Sequence, residues 1–518
     1  MYESLNKWLI KDFSIKLDKS LEKKLNEEYC NSLNNSQIKD KNFTDNTSYF
    51  YKCLNIIHEF SRRPWILQVD IFNKLKISKE ELIILNSIIR NSDFFQDIIL
   101  KKGTGNKYWN TIIPFSKTTD KVLENIYSFP QRIAIFPGVS CMFYCGFCGR
   151  NQSAKYPLSI IEDSIKTYKK LFSVKNNNTA FSISGGLEPL THPKLGEIIS
   201  DAHEKNIKIP LITNGYSLTE NYIKKNPGIW KLDSLRISLY GVDAESYHFI
   251  TRVKKSFEIV KKNTINFLKQ RNINNPNLKF GFNFIIIPEN MNQLDGILDL
   301  VKEINEKVDN GNGVDFITLR DDYQSVTGGN KKNDADRKYR LHSKMSDVSR
   351  TKLIRVINKF KKKKTQICPN VHIDFGYSIE SLSKGIFDKQ LIRVSGNEMR
   401  KLGFTQLSVA VDLYGDVFLF REAGFLNRAG NSKMIIGRIS SKKTLEDVIK
   451  EFLNKKIPLN LDNDDSRFMD SFDHVLTVLV NQAEKDKNFG IPFSFGPVRD
   501  RFIARKMNIG NNWYSDNI

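Results

Sequence analysis

The three cysteines Cys141, Cys145 and Cys148 are the strongest chemical signal in this chain of 518 residues. They lie in the segment 138–150, GVSCMFYCGFCGR, with three residues between the first pair and two between the second. This spacing allows one short loop to direct three thiolates toward a common ligand. The whole chain has six cysteines, so half of them fall in this loop.

Three thiolates on one loop favour an iron–sulfur cluster over a closed zinc site. A structural zinc ion takes four protein ligands, whereas a four-iron cluster held by three cysteines keeps one iron open for a substrate or cofactor. No second C-x2-C pair follows in the sequence, so a zinc knuckle, the alternative interpretation, would need a fourth ligand elsewhere in the chain. Gly146 and Gly149 allow close packing of the backbone, and we expect Phe143, Tyr144 and Phe147 to shield a cluster from water.

The elements that position this loop are predicted from the pattern after residue 132. Short β-rich runs occur at 132–136, 180–184, 208–213, 235–240, 279–287 and 314–320. Between them, apolar residues recur at the three- and four-residue spacings of helices, as in Leu158, Ile161 and Ile165. Alternating strands and helices predict a parallel sheet with right-handed crossovers. Six such units would form an open (β/α)6 barrel.

Polar segments follow all six predicted strands, at the edge where chemistry collects in parallel barrels. The cysteine loop follows the first strand, and the sequence Ser-Gly-Gly-Leu-Glu-Pro at 184–189 follows the second. Asn214 follows the third strand, and the fourth ends at Ser238 and Tyr240. Any one of these segments could be a simple turn, but six at one edge predict a binding site there.

The loop pattern C-x3-C-x-aromatic-C resembles the cluster motif of the radical S-adenosylmethionine (SAM) enzymes. The resemblance implies a cluster whose open iron binds the amino and carboxylate groups of SAM. It also implies that reductive cleavage of SAM gives a 5′-deoxyadenosyl radical. We expect a single [4Fe–4S] cluster, because Cys368 is the only cysteine after the loop and one thiolate cannot hold a second cluster.

The same resemblance suggests which residues bind SAM. The segment with Gly185, Gly186 and Glu188 is similar to the Gly-Gly-Glu-Pro type segment that receives the methionyl amino group, with one extra residue before the glutamate. Glycines allow the backbone to approach a ligand, and a carboxylate pairs with an ammonium group. The extra residue leaves two options, the Glu188 carboxylate or backbone carbonyls alone. The remaining candidates for SAM contacts are Phe147, Asn214, Ser238 and Arg252.

Three regions are expected along the chain. Residues 1–120 have the apolar spacing of a mostly helical domain, 121–325 form the radical SAM barrel, and 326–518 form a smaller α+β region. The segment VAVDLYGDVFLF in the last region predicts a β-hairpin that turns at Tyr414 and Gly415, and a terminal helix follows. The expected fold class is therefore α/β: a partial (β/α)6 radical SAM barrel with an N-terminal helical domain and a small C-terminal α+β appendage.

Later segments resemble one group within that family, the ammonia-lyases of TDP-linked 4-amino-4,6-dideoxy sugars. The resemblance covers about 107–485 and is carried by SGGLEPLTHP, GIWKLDSLRISLYG, VDFITLRDDY, VHIDFGY, VDLYGDVFLFREAGF and MDSFDHVLTVLVNQ. It implies removal of hydrogen from C3 of the sugar and loss of ammonia from C4, which gives a 3-keto-4,6-dideoxy sugar nucleotide. It also implies an electron donor of the flavodoxin or ferredoxin type. A radical SAM dehydrogenase, dehydratase or epimerase of a related nucleotide sugar is the alternative.

This chemistry needs a base near the C3 hydroxyl and an acid near the leaving amine. The candidates for these roles lie at predicted strand ends and are Asp321, Tyr323, Tyr377 and Glu422. Arg320 and Arg421 are candidates for contacts with the diphosphate, because the guanidinium fork matches phosphate oxygens. Adjacent Arg421 and Glu422 could equally form a solvated pair.

The composition limits the other functional classes. A net charge of +22 invites a nucleic-acid hypothesis, and a zinc-containing nucleic-acid-binding protein is the rival of another class. The lysines are spread along the chain without interleaved aromatic residues, so we expect no nucleic-acid partner. No run of 18 apolar residues exists, so no membrane span is expected. The few cysteines without a pairing framework favour a reducing, cytoplasmic location.

Overall fold

The structure is a computed structural model that describes residues 5, 9, 15–16, 23, 46–62, 76, 79–102, 116–150, 153–174, 179–308, 312–321, 350–375, 394 and 396–489. The chain divides into two compact units, Met1–Gln131 with His474–Ile518, and Arg132–Asp473. The second unit contains the predicted barrel from residue 132 onward and the predicted appendage as far as residue 473. The division into three domains stays a prediction.

The described part of the first unit is helical, as its apolar spacing predicts. Its helices are α1 (Asn46–Arg62), α2 (Lys79–Asn91), α3 (Asp93–Lys102) and α4 (Lys117–Leu123). Apolar residues at helical spacing, such as Leu54, Ile57 and Leu85, are fully buried. Ser116 caps the N-terminus of α4, because its side chain accepts a hydrogen bond from the amide of Thr118.

The second unit is built on strands that alternate with helices. Its strands are β1 (Arg132–Phe136), β2 (Ala180–Ile183), β3 (Pro210–Thr213), β4 (Ser234–Leu239), β5 (Lys279–Ile286), β6 (Phe316–Asp321), β7 (His372–Phe375), β8 (Ser408–Asp412), β9 (Asp416–Phe418) and β10 (Ile435–Arg438). Its helices are α5 (Ile161–Phe172), α6 (Leu195–Glu204), α7 (Glu220–Lys225), α8 (Ala244–Thr251), α9 (Ser256–Asn274), α10 (Gly296–Lys307), α11 (Arg350–Ile367) and α12 (Leu445–Lys455). A last helix, α13, spans Ser471–Phe489, and its residues from His474 onward belong to the first unit. None of the described helices is long and apolar enough to cross a membrane.

All ten strands of the described residues belong to one sheet, in the order β10-β9-β8-β1-β2-β3-β4-β5-β6-β7. Pairing is parallel from β8 through β1 to β7, and antiparallel at β8–β9 and β9–β10. The predicted hairpin is present, and Gly415 at its turn has φ +81°. The predicted fold class is confirmed. Strands assigned to the appendage extend the barrel sheet at both ends, because β7 pairs with β6 and β8 pairs with β1.

The two faces of the sheet differ in chemistry. Phe181 packs against Phe172 of α5, and Phe280 packs against Phe267 of α9, so these strand residues face the helices. Side chains alternate between faces along a strand. The intervening residues, such as Ser182 and Asn283, therefore face the interior of the partial barrel. Burial of each large apolar side chain on the helix side contributes roughly 1.5–3 kcal/mol.

Candidate active site

The cysteine loop leaves the end of β1 and is tied to the segment that leaves β2. The amide of Glu188 donates to the carbonyl of Ser140 at 2.9 Å. The hydroxyl of Thr191 accepts from the amides of Val139 and Ser140, at 2.9 and 3.0 Å, and donates to the Glu188 carbonyl at 2.6 Å. Because Thr191 satisfies polar groups of both segments, it holds the start of the cysteine loop against the glycine segment.

The three thiols lie close enough to influence one another's pKa; Cys145 is buried, and Cys141 and Cys148 are half-buried. Burial raises the pKa of Cys145 well above its ordinary value, and the neighbouring Cys148 and Cys141 raise it further. Burial also raises the pKa of Cys141 to about 11, although the Arg150 guanidinium opposes this rise. Binding of a metal to these cysteines would release protons, because a metal binds the thiolate form.

Arg150 supplies positive charge beside the thiols. It is buried, and its guanidinium donates to the carbonyl of Phe143 within the loop. Burial lowers the pKa of Arg150, but the three thiols together raise it by more, with Cys141 contributing most. A buried cation at this position stabilises thiolates and the negative charge of a cluster that they hold.

The donor set fits a four-iron cluster. Within the described residues, no three His, Cys, Asp or Glu side chains converge on the position of one metal ion. A four-iron cluster does not need such convergence, because each cysteine binds a different iron. Three mutually influencing thiols, burial and one adjacent cation match the requirements of such a cluster.

Aromatic rings surround part of the loop. Phe143 is 1% exposed and contacts Tyr216, Tyr240 and Tyr247 edge-on, with centroid distances of 5.5, 5.9 and 6.2 Å. Phe147 lies 5.6 Å from Tyr240, measured between ring centroids. Two of the three aromatic residues that were expected to shield the site are thus packed beside it. Tyr144 is 38% exposed, and its ring lies at the surface.

The glycine segment after β2 has the backbone conformation that favours glycine. Gly185 and Gly186 have φ values of +91° and +64°. A Cβ at Gly185 would lie 2.9 Å from Cε1 of Phe136, and one at Gly186 would lie 3.0 Å from its Cβ. Both positions therefore require glycine, since a side chain would be strained in φ and would collide with Phe136.

The Glu188 carboxylate is buried and accepts hydrogen bonds from the protein. Oε2 accepts from the amide of Asn214 at 2.8 Å, and Oε1 accepts from the amide of Leu190 at 3.1 Å and from the Thr213 hydroxyl. Burial raises the pKa of Glu188, and these hydrogen bonds oppose the rise. Glu188 joins the ends of β2 and β3, which places the glycine segment beside Asn214. The two options for an amine contact at this segment, the Glu188 carboxylate and backbone carbonyls, both stay predictions.

Asn214 contacts the cysteine loop directly, Arg252 follows a residue that does, and Ser238 lies on β4. The Asn214 amide nitrogen lies 3.1 Å from Sδ of Met142 and 3.9 Å from Sγ of Cys141. Ser238 is buried on the interior face of β4. Arg252 follows Thr251, whose carbonyl accepts from the amide of Tyr144 at 2.9 Å. Arg252 has φ +61°, and its buried Nε has no hydrogen-bond partner in the described part of the chain.

Arg421 and Glu422 lie in a short 3-10 turn, Arg421–Gly424, after β9. Arg421 donates from Nη2 to the Ser184 hydroxyl at 2.7 Å, and its Nη1 lies 3.3 Å from the Asp470 carboxylate. Glu422 pairs with Arg428 at 3.1 Å, and the Arg428 side chain is 1% exposed. Burial raises the pKa of Cys148, and Arg150 opposes the rise while Glu422 adds to it. The turn thus lies beside both the glycine segment and the cysteine loop.

Residues 135–301 match the Radical SAM superfamily. The chain is also 32% identical over 392 residues to the dTDP-4-amino-4,6-dideoxy-D-glucose ammonia-lyase of Streptomyces venezuelae, which covers 75% of this chain and 78% of that protein. The chain belongs to the radical SAM superfamily. Membership implies an iron–sulfur cluster and SAM as cofactors.

Solved structures similar to this radical SAM protein include SuiB of Streptococcus suis, with a TM-score of 0.42 and 16% identity over 72% of this chain and 81% of SuiB. Another is anSMEcpe with bound AdoMet and the Cp18Cys peptide. Its TM-score is 0.38 at 15% identity, over 68% of this chain and 99% of that one.

The structure of this radical SAM protein describes only some of the other candidates. Arg320 lies on β6, and Asp321 is the last residue of that strand, described in its backbone alone. Tyr323 and Tyr377 lie outside the described residues. The roles assigned to these four residues stay predictions.

Sequence reasoning missed three residues around the radical SAM site: Arg150, Thr191 and Arg428. Arg150 follows Cys148 by two positions, so its proximity to the thiols could have been inferred from the loop itself. Thr191 and Arg428 gave no such signal, because no spacing pattern links either residue to its partner. The chain turns back after Glu422 and so brings Arg428 to it. Thr191 contacts the cysteine loop, about 50 residues earlier in the sequence.

Proposed function

We propose that this radical SAM enzyme is an ammonia-lyase of a nucleotide-linked 4-amino-4,6-dideoxy sugar. The observation that carries the proposal is the 32% identity over 392 residues to the dTDP-4-amino-4,6-dideoxy-D-glucose ammonia-lyase. That similarity extends well beyond residues 135–301, which match the superfamily. A match confined to the superfamily region would support radical chemistry alone, whereas similarity over 75% of the chain also supports a related substrate.

Cys141, Cys145 and Cys148 would hold one [4Fe–4S] cluster, and Gly185, Gly186 and their neighbours would hold SAM. When bound and reduced, these cofactors supply a 5′-deoxyadenosyl radical, which removes a hydrogen atom from a carbon placed against it. The protein must fix that carbon in position, because proximity decides where such a radical reacts. Arg150 keeps positive charge beside the deprotonated thiolates.

The proposed reaction breaks the C3–H and C4–N bonds of the sugar. The C3 hydrogen leaves as an atom, the C3 hydroxyl loses its proton, and ammonia departs from C4. One electron and one proton then complete a 3-keto-4,6-dideoxy sugar nucleotide, and a flavodoxin or ferredoxin type protein supplies the electron.

Acid and base groups within reach of the cofactor site would serve this reaction. Glu422 lies close enough to Cys148 to raise the pKa of that thiol, and its ion pair with Arg428 fixes its position. We assign it a proton-transfer role, together with Asp321, Tyr323 and Tyr377 as further candidates. Arg320 and Arg421 are the candidates for the diphosphate, which favours the guanidinium fork.

The test is anaerobic turnover with TDP-4-amino-4,6-dideoxyglucose. The enzyme is reconstituted with iron and sulfide, reduced and given SAM, and 5′-deoxyadenosine, ammonia and keto sugar are assayed together. We expect all three products from the wild type and none from Cys145→Ala. Cys53→Ala is the matched control, because Cys53 is buried in α1, outside the cysteine loop.

Two other outcomes would reject the lyase proposal. Deoxyadenosine with an oxidised sugar and no ammonia would identify a dehydrogenase. Absence of deoxyadenosine with this substrate, from protein that contains an intact cluster, would mean that the substrate is of another class.

A further inference from the structure

The interior face of the sheet carries polar side chains on three adjacent strands, two of them buried and one half-buried. Arg236 lies on β4, Asn283 on β5 and Thr318 on β6, and Asn283 is paired in register with Thr318. Asn283 and Thr318 are 6% and 2% exposed. We name these three residues the interior row.

The interior row faces away from the helices. Phe280 and Phe282 flank Gly281, and Phe280 packs against α9. By alternation along β5, Asn283 points to the opposite side, and its partner Thr318 shares that side. Arg236 faces the same interior, because its guanidinium lies over the ring of Phe316, 5.2 Å from the centroid.

Each residue of the interior row has a buried polar atom that lacks a hydrogen-bond partner in the described part of the chain. These atoms are Oδ1 of Asn283, Oγ1 of Thr318 and Nε of Arg236. A buried polar group without a partner destabilises a protein by about 1–3 kcal/mol. Three such atoms on neighbouring strands indicate a place where an external group completes the hydrogen bonds.

The chemistry of the interior row favours a hydroxylated ring. An amide oxygen accepts hydrogen bonds, a guanidinium donates them, and a threonine hydroxyl does both. Hydroxyl groups can satisfy all three, whereas an isolated anion would be opposed by the Asn283 oxygen. Arg320 lies close enough to lower the pKa of Arg236, and Asp374 lies close enough to raise it. The site therefore has charged groups at more than one point.

We propose that Asn283, Thr318 and Arg236 bind the hexose ring of the nucleotide-sugar substrate. This inference rests on the proposed function. The SAM candidates Asn214 and Ser238 follow β3 and end β4, nearer to the cysteine loop in strand order. Ser238 pairs in register with Asn283, and Arg236 precedes Ser238 by two residues on β4. A hexose ring bound by the interior row would therefore lie beside the ribose of SAM, as hydrogen transfer between them requires.

The test uses Thr318→Val and Asn283→Leu in cluster-loaded protein. Calorimetry without a reductant measures the Kd of TDP-4-amino-4,6-dideoxyglucose with SAM present, and the Kd of SAM alone. We expect the Kd of the sugar nucleotide to rise about tenfold in each variant, as loss of one hydrogen bond of about 1.4 kcal/mol predicts. The Kd of SAM should change less than twofold.

Stability provides the second measurement. Removal of an unpaired buried polar atom should leave the thermal midpoint of the ligand-free protein unchanged or higher. Ile317→Val is the matched control, since Ile317 is a buried neighbour on β6 whose side chain points to the opposite face. We expect it to lower the midpoint and to leave both Kd values unchanged.

Three results would overturn the inference. A weaker Kd for SAM with unchanged sugar-nucleotide binding would assign the interior row to SAM. A lower midpoint with both Kd values unchanged would make these residues structural, and normal turnover in that case would leave the proposed function intact. Wild-type protein that neither binds nor converts the sugar nucleotide would remove the proposed function and this inference together.

Discussion

Arg421 donates a hydrogen bond from Nη2 to the hydroxyl of Ser184 at 2.7 Å, across 237 positions of the chain. Ser184 directly precedes the glycine segment, and Arg421 begins the turn after β9. The backbone amide of Arg421 also donates to the Asp473 carboxylate at 3.0 Å. Through its bonds to Ser184 and Asp473, Arg421 joins the glycine segment to the C-terminal part of the second unit.

Replacement of Arg421 tests both of its possible roles. Arg421→Ala should raise the Kd of the sugar nucleotide about tenfold or more, because a charged hydrogen bond contributes about 1.5–3 kcal/mol. The Kd of SAM should also rise, since Ser184 loses its partner. Arg421→Lys keeps the charge but loses the fork. An unchanged sugar-nucleotide Kd with weaker SAM binding would make Arg421 a positioning residue only.

Glu188→Gln should destabilise the fold and impair SAM binding. The carboxylate accepts from three donors, and an amide nitrogen at either oxygen position would face a donor. We expect a loss of about 1–3 kcal/mol in the free energy of unfolding. Chemical denaturation measures this loss, with Glu197→Gln as a control on an exposed surface of α6. Unchanged stability would show that Glu188 does not tie β2 to β3.

Variants of Glu422 and Arg428 should affect different properties: the Arg428 variant should lower stability, and the Glu422 variant should lower the rate of ammonia release. Arg428→Met removes the ion pair between Arg428 and Glu422 and should destabilise the protein by about 3–5 kcal/mol. Glu422→Gln should retain iron and SAM cleavage but lower ammonia release about 100-fold, as loss of a proton-transfer group does. Normal ammonia release from Glu422→Gln would remove it from the catalytic candidates. The double variant should be less destabilised than the Arg428 variant alone.

Asp412 should make stability depend on pH. Its Oδ2 accepts from the Tyr156 hydroxyl at 2.9 Å, and burial, with a contribution from Asp416, raises its pKa to about 7. The folded state therefore binds a proton that the unfolded state has already released above its ordinary pKa of about 4. Stability from this group falls as pH rises from about 4 to 7.

Asp412→Asn removes that dependence. Compared with the wild type, the variant should show a thermal midpoint that decreases less between pH 5 and pH 7, a window chosen from the raised pKa. Tyr414→Phe is the control, because its half-exposed ring packs against Tyr156 without being the titrating group. Parallel pH profiles for Asp412→Asn and the wild type would contradict the assignment.

The sequence by itself determined the chemistry of the cysteine loop and the class of the fold. Local spacing suffices for both, because Cys141, Cys145 and Cys148 lie on one loop and because strand and helix periods are properties of short segments. Gly185 and Gly186 were also identifiable, since a pair of glycines after a strand marks a close approach of the backbone. The structure adds that both glycines have positive φ.

Only the tertiary structure decided which distant residues meet. The pairing of β8 with β1 places Arg421 and Glu422 near the loop, and no local pattern encodes which strand a segment joins. The same holds for Thr191 beside Ser140, and for the register that puts Asn283 next to Thr318. Strand period predicts that a side chain faces one side of a sheet. Its partners depend on long-range pairing, which the packing of the whole unit selects.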